Sequence, residues 1–282
     1  MTAVIPWGVT ATTDGRVFAF GHPATDHDAS PIFEIDRGKA KLVRTLAGVE
    51  EIAGVGRELL RFGSSFEDGP QVDIYSGKGW STHPTGDASI ITTTVIDGVL
   101  VGAGRNGAVA TWNAKKRTWD VRTPDVPAIH LTGVAVGDGK TFVVCGEKGR
   151  LGLLATVAGK SKLAALKIPT KEALAGVLRR STGELVVTGA SGTILVGTAT
   201  KLAVVPRGKY TANFSRPVEW SGRVLIPARA NGVLEYVDGA LQPFSKDPAN
   251  GLGVAGDHLW AWSKKGVAWW NKKAWSVIPL AM

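Results

Sequence analysis

The 282-residue chain contains a single cysteine, Cys145, and no long run of apolar residues. A lone cysteine excludes an intramolecular disulfide and a cysteine-rich metal site. No apolar stretch approaches the ~20 residues that a membrane-spanning helix needs. The first residues, MTAVIPWGVTATTDGR, lack the basic and apolar segments of a secretory signal peptide. These absences predict a soluble, cytoplasmic protein that does not enter a membrane.

Acidic residues are also scarce, with 24 Asp and Glu against 33 Lys and Arg, which gives a net charge of +9 and a pI near 9.7. Such an excess favours nucleic acid, an anionic glycan, a membrane surface or an acidic protein as a partner. The alternative is that the basic side chains are solvated at turns. Apolar residues make up 44% of the chain, so it can bury a substantial core.

A short apolar run, a four-residue turn closed by glycine and a second apolar run recur along the chain. The clearest copies are GVLVGA-GRNG-AVATW (98–112), KTFVVC-GEKG-RLGLL (140–154), ELVVT-GASG-TILVG (184–197), RVLIPA-RANG-VLEYV (223–237) and HLWAW-SKKG-VAWWN (258–271), with looser copies at 16–36 and 58–76. Six closing glycines follow one another at intervals of 34 to 43 residues. Each unit divides into four strand-like pieces separated by polar turns, and in the third unit these pieces are 90–96, 98–103, 108–112 and 117–122.

Four short antiparallel strands repeated about every forty residues predict an all-β fold, a β-propeller of seven four-stranded blades in a single domain, 1–282. The predicted blades are 7–47, 48–86, 87–125, 126–168, 169–206, 207–245 and 246–282. Six or eight blades stay possible if an end unit is shared. A β-sandwich would not repeat so regularly, and a solenoid would need shorter units.

The repeated unit, v…G-x-x-G-x-l…W, resembles bacterial propellers of the BNR-like and photosystem-assembly-factor-like kind over nearly the whole chain. The Asp-box pattern Ser-x-Asp-x-Gly-x-x-Trp is absent, so sialidase chemistry has no support. The resemblance implies a mostly non-enzymatic binding platform, and it transfers no functional residue to this sequence.

One connection between predicted blades, PRGKYTANFSRP (206–217), is long and interleaves basic with aromatic residues. In propellers, such connections and the turns between second and third strands gather on one face, which commonly binds ligands. Basic and aromatic side chains together suit stacking on a base or a sugar, with charge pairing to phosphate or sulfate. The candidate residues are Arg207, Lys209, Tyr210, Asn213, Phe214 and Arg216. Alternatively, Tyr210 and Phe214 fix the loop to the edge of a blade.

The turns of the first two units are expanded and partly acidic, GHPATDHDAS (21–30) and GSSFEDG (63–69). Imidazoles and carboxylates can bind a divalent metal or act as acid and base. The spacing matches no known metal-binding loop, so we predict solvated polar loops with no metal and no cofactor. The candidate binding residues here are His22, Asp26, His27, Asp28, Glu67 and Asp68, together with His130 at the channel mouth. Glu50, Glu51 and Lys171 are further candidates on the same face, and the alternative is that they are structural or solvated.

No catalytic motif is present. GASG (189–192) is a hairpin turn in repeat register and not a nucleophile elbow, and no helix follows GRNG or GEKG to face a phosphate. The sequence therefore predicts a non-enzymatic binding or scaffold propeller that engages a protein partner through its loop face. The alternatives are a lectin-like carbohydrate-binding propeller, a nucleic-acid-binding propeller, and a propeller hydrolase or lyase that uses carboxylates at the channel mouth.

Five tryptophans cluster in HLWAWSKKGVAWWNKKAW (258–275). In repeat register they fall on the second, third and fourth strands of the last blade, which predicts packing rather than ligand binding. Trp7 and Trp220 lie outside that register. If any tryptophan meets a ligand, we therefore expect it to be one of these two and not one of the five in the last blade.

Overall fold

The structure, a computed structural model, describes residues 2–26, 28–65, 69–84, 89–96, 99–122, 129–137, 141–157 and 160–282. These residues form seven antiparallel sheets of four strands each, in which consecutive strands are neighbours. Three 3₁₀ turns, Arg105–Gly107, Glu147–Gly149 and Ala190–Gly192, are the only helical segments of the described chain. The fold is a seven-bladed β-propeller, as the sequence predicts.

Each blade is one four-stranded meander, and the strand bounds follow the chain. Blade one contains β1 (Val4–Ala11), β2 (Val17–Pro23), β3 (Ala29–Asp36) and β4 (Lys39–Ala47). Blade two contains β5 (Val49–Val55), β6 (Glu58–Ser65), β7 (Gly69–Tyr75) and β8 (Trp80–Pro84). Blade three contains β9 (Ile90–Ile96), β10 (Val99–Gly104), β11 (Val109–Asn113) and β12 (Thr118–Arg122). Blade four contains β13 (Leu131–Val136), β14 (Phe142–Gly146), β15 (Arg150–Val157) and β16 (Lys160–Ala165).

The remaining three blades have the same plan. Blade five contains β17 (Leu174–Arg179), β18 (Leu185–Gly189), β19 (Ile194–Thr198) and β20 (Lys201–Val204). Blade six contains β21 (Val218–Trp220), β22 (Arg223–Pro227), β23 (Val233–Val237) and β24 (Ala240–Ser245). Blade seven contains β25 (Gly251–Ala255), β26 (His258–Ser263), β27 (Gly266–Trp270) and β28 (Trp275–Ile278).

The chain divides into two compact units. Unit 1 comprises Met1–Asp87 and Ala249–Met282, which hold blades one, two and seven. Unit 2 comprises Ala88–Pro248, which holds blades three to six. In unit 1 the two ends of the sequence pair with each other, because the Val4 N–H donates to the carbonyl of Leu280 at 3.0 Å.

Apolar side chains fill the space between neighbouring blades within each unit. In unit 1, Trp260 is 4% exposed in a cluster with Phe33 and Val267, and Trp262 and Trp269 pack against it. The prediction that the late tryptophans are packing residues is confirmed for these three. Burying side chains of this size contributes about 1.5–3 kcal/mol each. The described chain contains no helix capable of spanning a lipid bilayer.

Candidate functional site

The innermost strand of five blades carries a one-residue β-bulge at the same place. Each innermost strand pairs with the second strand of its blade, and the pairing skips one residue near its start. The skipped residues are Trp7 and Glu50 in unit 1, and Ile91, Thr132 and Ala175 in unit 2. A bulge leaves its extra residue outside the ladder and often re-aims a side chain beside an active site.

A glycine at or near the end of the second strand makes each bulge possible. A Cβ atom on Gly104 would overlap the carbonyl oxygen of Ser89, and one on Gly63 would overlap that of Gly48. The innermost strand approaches so closely there that no side chain fits. The equivalent glycines are Gly21, Gly63, Gly104, Gly146 and Gly189. The first glycine of the repeated turn is thus required by the bulge.

The bulge residues of unit 1 include an aromatic and a charged side chain, whereas those of unit 2 are aliphatic or carry a single hydroxyl. Asn250 has the corresponding place in blade seven, because its N–H donates to the carbonyl of Trp262 at 2.7 Å. The three innermost strands of unit 1 are neighbours: the Gly54 N–H in β5 donates to Thr10 Oγ1 in β1 at 2.9 Å, and β25 also contacts β1. The indole of Trp7 and the carboxylate of Glu50 therefore lie on adjacent strands, and the amide of Asn250 lies directly before a third. We define the bulge site as Trp7, Glu50 and Asn250 with His22.

Trp7 and His22 form a contacting pair within this site. Of the ten tryptophans, only Trp7 is exposed, at 47%. Its ring centroid lies 4.7 Å from that of His22 in an edge-on arrangement, and His22 is buried at the end of β2. The Nδ1 atom of His22 lies 3.0 Å from the carbonyl oxygen of Pro23. Because a carbonyl can only accept, Nδ1 carries the proton, and in the neutral ring Nε2 is the basic nitrogen.

A buried ion pair between Arg61 and Asp73 interacts electrostatically with Glu50. Arg61 in β6 is fully buried, and its Nη1 lies 3.0 Å from Asp73 Oδ2. The other oxygen of Asp73 accepts from Thr82, and Arg61 also donates to the carbonyl of Ala47. Burial lowers the pKa of the Arg61 guanidinium, while the charges of Asp73 and Glu50 raise it. Glu50 therefore lies within the field of a buried cation.

In the acidic loop of blade one, the Asp26 carboxylate bonds to the backbone of its own loop. Asp26 Oδ1 accepts from the backbone N–H groups of Asp28 and Ala29 at 3.0 and 3.2 Å, which closes the turn before β3. Asp28 is exposed. The candidates His27, Glu67 and Asp68 lie outside the described residues. Within the described ranges, no three His, Cys, Asp or Glu side chains come together in a way that could hold a metal ion.

The 206–217 connection in unit 2 is fixed to blade five and to the core. Phe214 is 1% exposed and packs in a core cluster, against which Tyr210 lies half-buried. Asn213 Oδ1 accepts from the Ser191 N–H at 3.0 Å, and Arg207 donates to the Ser191 carbonyl. The buried Phe214 ring is therefore an anchor of the loop and not a stacking surface, which agrees with the alternative that the sequence left open.

Arg216 leaves this loop and crosses the innermost strands of unit 2. Its Nη1 lies 2.6 Å from the carbonyl oxygen of Thr93 and 3.4 Å from Thr92 Oγ1, both in β9. It passes Gly176, where a Cβ atom would lie 2.7 Å from the Arg216 Cα. His130 is exposed on the connection before β13, where its carbonyl accepts from the Glu147 N–H at 3.2 Å. The structure therefore does not gather the predicted residues of unit 2 into one site.

Comparisons with known proteins give a fold but no family. No protein-family model matches the sequence, and no curated protein is similar to it. Among solved structures, a streptogramin B lyase is similar with a TM-score of 0.73 and 14% identity, over 95% of this chain and 93% of the other. A catalytically inactive histidine-to-alanine variant of virginiamycin B lyase from Staphylococcus aureus, with quinupristin, is similar with a TM-score of 0.72 and 14% identity, over 92% of each chain.

These neighbours correct the main functional prediction. The sequence favoured a non-enzymatic scaffold that engages a protein partner, because no catalytic motif stands out. Two solved propellers of the same fold are named as lyases, so the fold gives the scaffold prediction no preference and that prediction is contradicted. The physical reason for the error is that a propeller site is assembled from single residues on separate blades. Such a site leaves no contiguous motif in the sequence.

Sequence reasoning found part of the bulge site. Trp7, His22 and Glu50 were candidates, whereas Asn250 and the Arg61–Asp73 pair were missed. Aligning the innermost strands on the first glycine of the repeated turn, instead of the closing glycine, would have identified one bulge residue in each of the five blades that carry this glycine.

Proposed function

We propose that the protein is a propeller lyase that cleaves its substrate by elimination, with His22 as the proton acceptor. The observation that carries this proposal is the His22–Trp7 pair: a buried imidazole with a fixed tautomer beside the one exposed indole. The similarity to lyase propellers over nearly the whole chain supports the reaction class. Kinship with BNR-like or photosystem-assembly-factor-like propellers is a separate proposal, based only on the repeat unit.

In an elimination, a base removes a proton from a carbon next to a carbonyl group. The electron pair of that C–H bond forms a carbon–carbon double bond, and the leaving group departs with the electrons of the bond that breaks. Nε2 of His22 accepts the proton in this scheme. The resulting imidazolium keeps its Nδ1–H bond to the Pro23 carbonyl.

The other residues of the bulge site have binding and polarising roles in the proposal. The exposed face of Trp7 provides an apolar surface for the substrate. The side-chain amide of Asn250 can donate to the substrate carbonyl oxygen, on which negative charge develops as the proton leaves. Glu50 is the carboxylate of the site and can accept hydrogen bonds from substrate hydroxyl or amide groups.

His22→Gln tests the role of the base directly. Purified protein is incubated with quinupristin, and in parallel with polygalacturonate, since both carry C–H bonds next to a carbonyl group. Products are measured by mass spectrometry. Loss of the base should reduce turnover by roughly 10²–10⁴-fold. The matched control is His83→Gln in β8, where the imidazole contacts Ser81 Oγ at 3.1 Å, and its turnover should equal that of the wild type.

Equal activity of wild type and His22→Gln would exclude His22 as the base. Turnover of neither probe by a folded wild-type protein would count against the lyase assignment itself.

A further inference from the structure

The excess of positive charge belongs to unit 2. This unit contains 21 of the 33 Lys and Arg residues and 11 of the 24 Asp and Glu residues. Unit 1 contains 12 basic and 13 acidic residues. An asymmetry of this size indicates that one part of a chain meets an anionic partner.

Within unit 2, basic residues occur where a turn between second and third strands meets the connection to the next blade. A Cβ atom on Gly149 would lie 3.0 Å from the Lys171 Cα, and one on Gly232 would lie 3.0 Å from the Lys246 Cα. One on Gly192 would lie 3.0 Å from the Arg207 Cδ. Three successive turns thus meet basic connections. We define the basic surface as Lys148, Lys171, Arg207, Lys209, Arg229 and Lys246.

Contacts between these turns make the basic surface continuous across blades four to six. Ser191 Oγ donates to Glu172 at 3.4 Å, and the Ser191 N–H donates to Asn213. These bonds join the blade-five turn to the connections on both of its sides. The Ser215 N–H donates to the Pro227 carbonyl at 3.0 Å, which joins the second connection to blade six.

The charges of the basic surface are exposed and not neutralised by salt bridges. All six side chains are exposed. In the described part of unit 2, every salt bridge uses Arg180 or Arg223, neither of which belongs to this surface. Two acidic residues of the neighbouring connections, Glu172 and Asp247, accept hydrogen bonds from serine hydroxyls. A net positive field therefore faces solvent.

We propose that the basic surface binds a carboxylated polysaccharide. Cations repeated on successive blades match a polymer that carries one carboxylate on each sugar. Single-stranded nucleic acid would need aromatic faces for base stacking, but the Phe214 ring is buried and Tyr210 lies half-buried with Lys209 over its ring at 5.8 Å. Reading a duplex would need a helix or ribbon that enters a groove, and this surface consists of short turns.

The choice of a carboxylated polymer also rests on the proposed function. A uronate sugar has a C–H bond next to its carboxyl group, which is the acidic hydrogen that an elimination requires. The binding experiment below uses no turnover. It therefore separates a failure of this inference from a failure of the lyase assignment.

Binding of fluorescently labelled polygalacturonate to the full chain, followed by anisotropy at low and at raised salt, tests the inference. The test variant is Lys148→Gln/Lys171→Gln/Arg229→Gln. The control variant is Lys115→Gln/Lys116→Gln/Lys201→Gln, which removes three exposed charges from unit 2 at turns between third and fourth strands. Neutral dextran and a DNA duplex are the comparison ligands.

We expect salt-sensitive binding of polygalacturonate, roughly tenfold or more weaker in the test variant and within about twofold of the wild type in the control variant. Equal losses in both triple variants would overturn the inference, since they would mean that binding reflects overall charge. Preferential binding of the duplex would overturn it in favour of nucleic acid, and absence of polygalacturonate binding at low salt would also overturn it.

Discussion

Trp7 and Arg61 are two residues that depart from the repeat pattern, and the structure gives each a specific place. Trp7 falls outside the register of the repeated tryptophans, and the structure places it at the surface of a bulge. Arg61 lies on a strand where other blades carry Ala19, Gly102 or Val144, so the sequence showed only an unusual residue. Its partner Asp73 is opposite Arg61 on the next strand. That pairing depends on strand register, which the sequence pattern alone does not fix to the residue.

Asp73→Asn should strongly destabilise the protein. The substitution keeps the shape of the side chain but leaves the Arg61 charge buried without a counter-charge, and breaking a buried pair in this way costs about 3–5 kcal/mol. The free energy of unfolding from urea titration measures the effect. Asp36→Asn is the control, because Asp36 is 82% exposed, and it should change stability by less than about 0.5 kcal/mol. A similar small change for both variants would show that the buried pair is not essential.

Cys145 should resist thiol reagents in the folded protein. Its side chain is buried, and desolvation raises the pKa of the thiol to about 12, so the reactive thiolate is almost absent at neutral pH. Because the pKa of the thiol is higher in the folded than in the unfolded protein, the protonated thiol contributes fully to folding stability below the ordinary thiol pKa. This contribution is lost as the pH rises through the range up to about 12. Labelling with a disulfide reagent should be slow in buffer and fast in guanidinium, and rapid labelling in buffer would contradict the burial.

At the scale of strands, the repeat pattern predicted nearly everything in blade three. The pieces expected at 90–96, 98–103, 108–112 and 117–122 correspond to β9, β10, β11 and β12 to within about a residue. Apolar alternation and turn glycines determine these limits. The bulges were not predicted, because a single unpaired residue changes neither the alternation nor the length of a strand enough to be recognised. The candidate site depends on those bulges, so it was found only in part.

Gly104→Ala should destabilise blade three because the added methyl group would overlap the Ser89 carbonyl beside the bulge. Overpacking of this kind typically costs about 1–3 kcal/mol. Gly79→Ala is the matched control: no atom lies within 4 Å of the place its methyl group would take, and its φ is not positive, so the change should be close to neutral. Thermal unfolding of both variants measures the difference. If the two melted alike, close approach at the bulge would not be the reason for the glycine.

For the whole molecule, the sequence predicted the blade count and the fold but not the functional class. The repeat predicts seven blades, because every unit contains the apolar strand pieces and the turn residues of antiparallel hairpins. Function depends on which side chains occupy equivalent places in different blades, and that required the observed strand register. The charge asymmetry between the units was available from the sequence all along. The net charge of +9 sums both units, so the asymmetry can be calculated only once the boundaries of the units are known.

Elimination is the central claim, and the most direct test is the fate of solvent oxygen. The reaction is run in water enriched in heavy oxygen with quinupristin and with polygalacturonate, and the products are weighed by mass spectrometry. A lyase forms a double bond without adding water, so the products should together have the mass of the substrate, and the quinupristin product should contain no heavy oxygen. Products that gain a water molecule with a heavy oxygen atom would show hydrolysis and contradict the account.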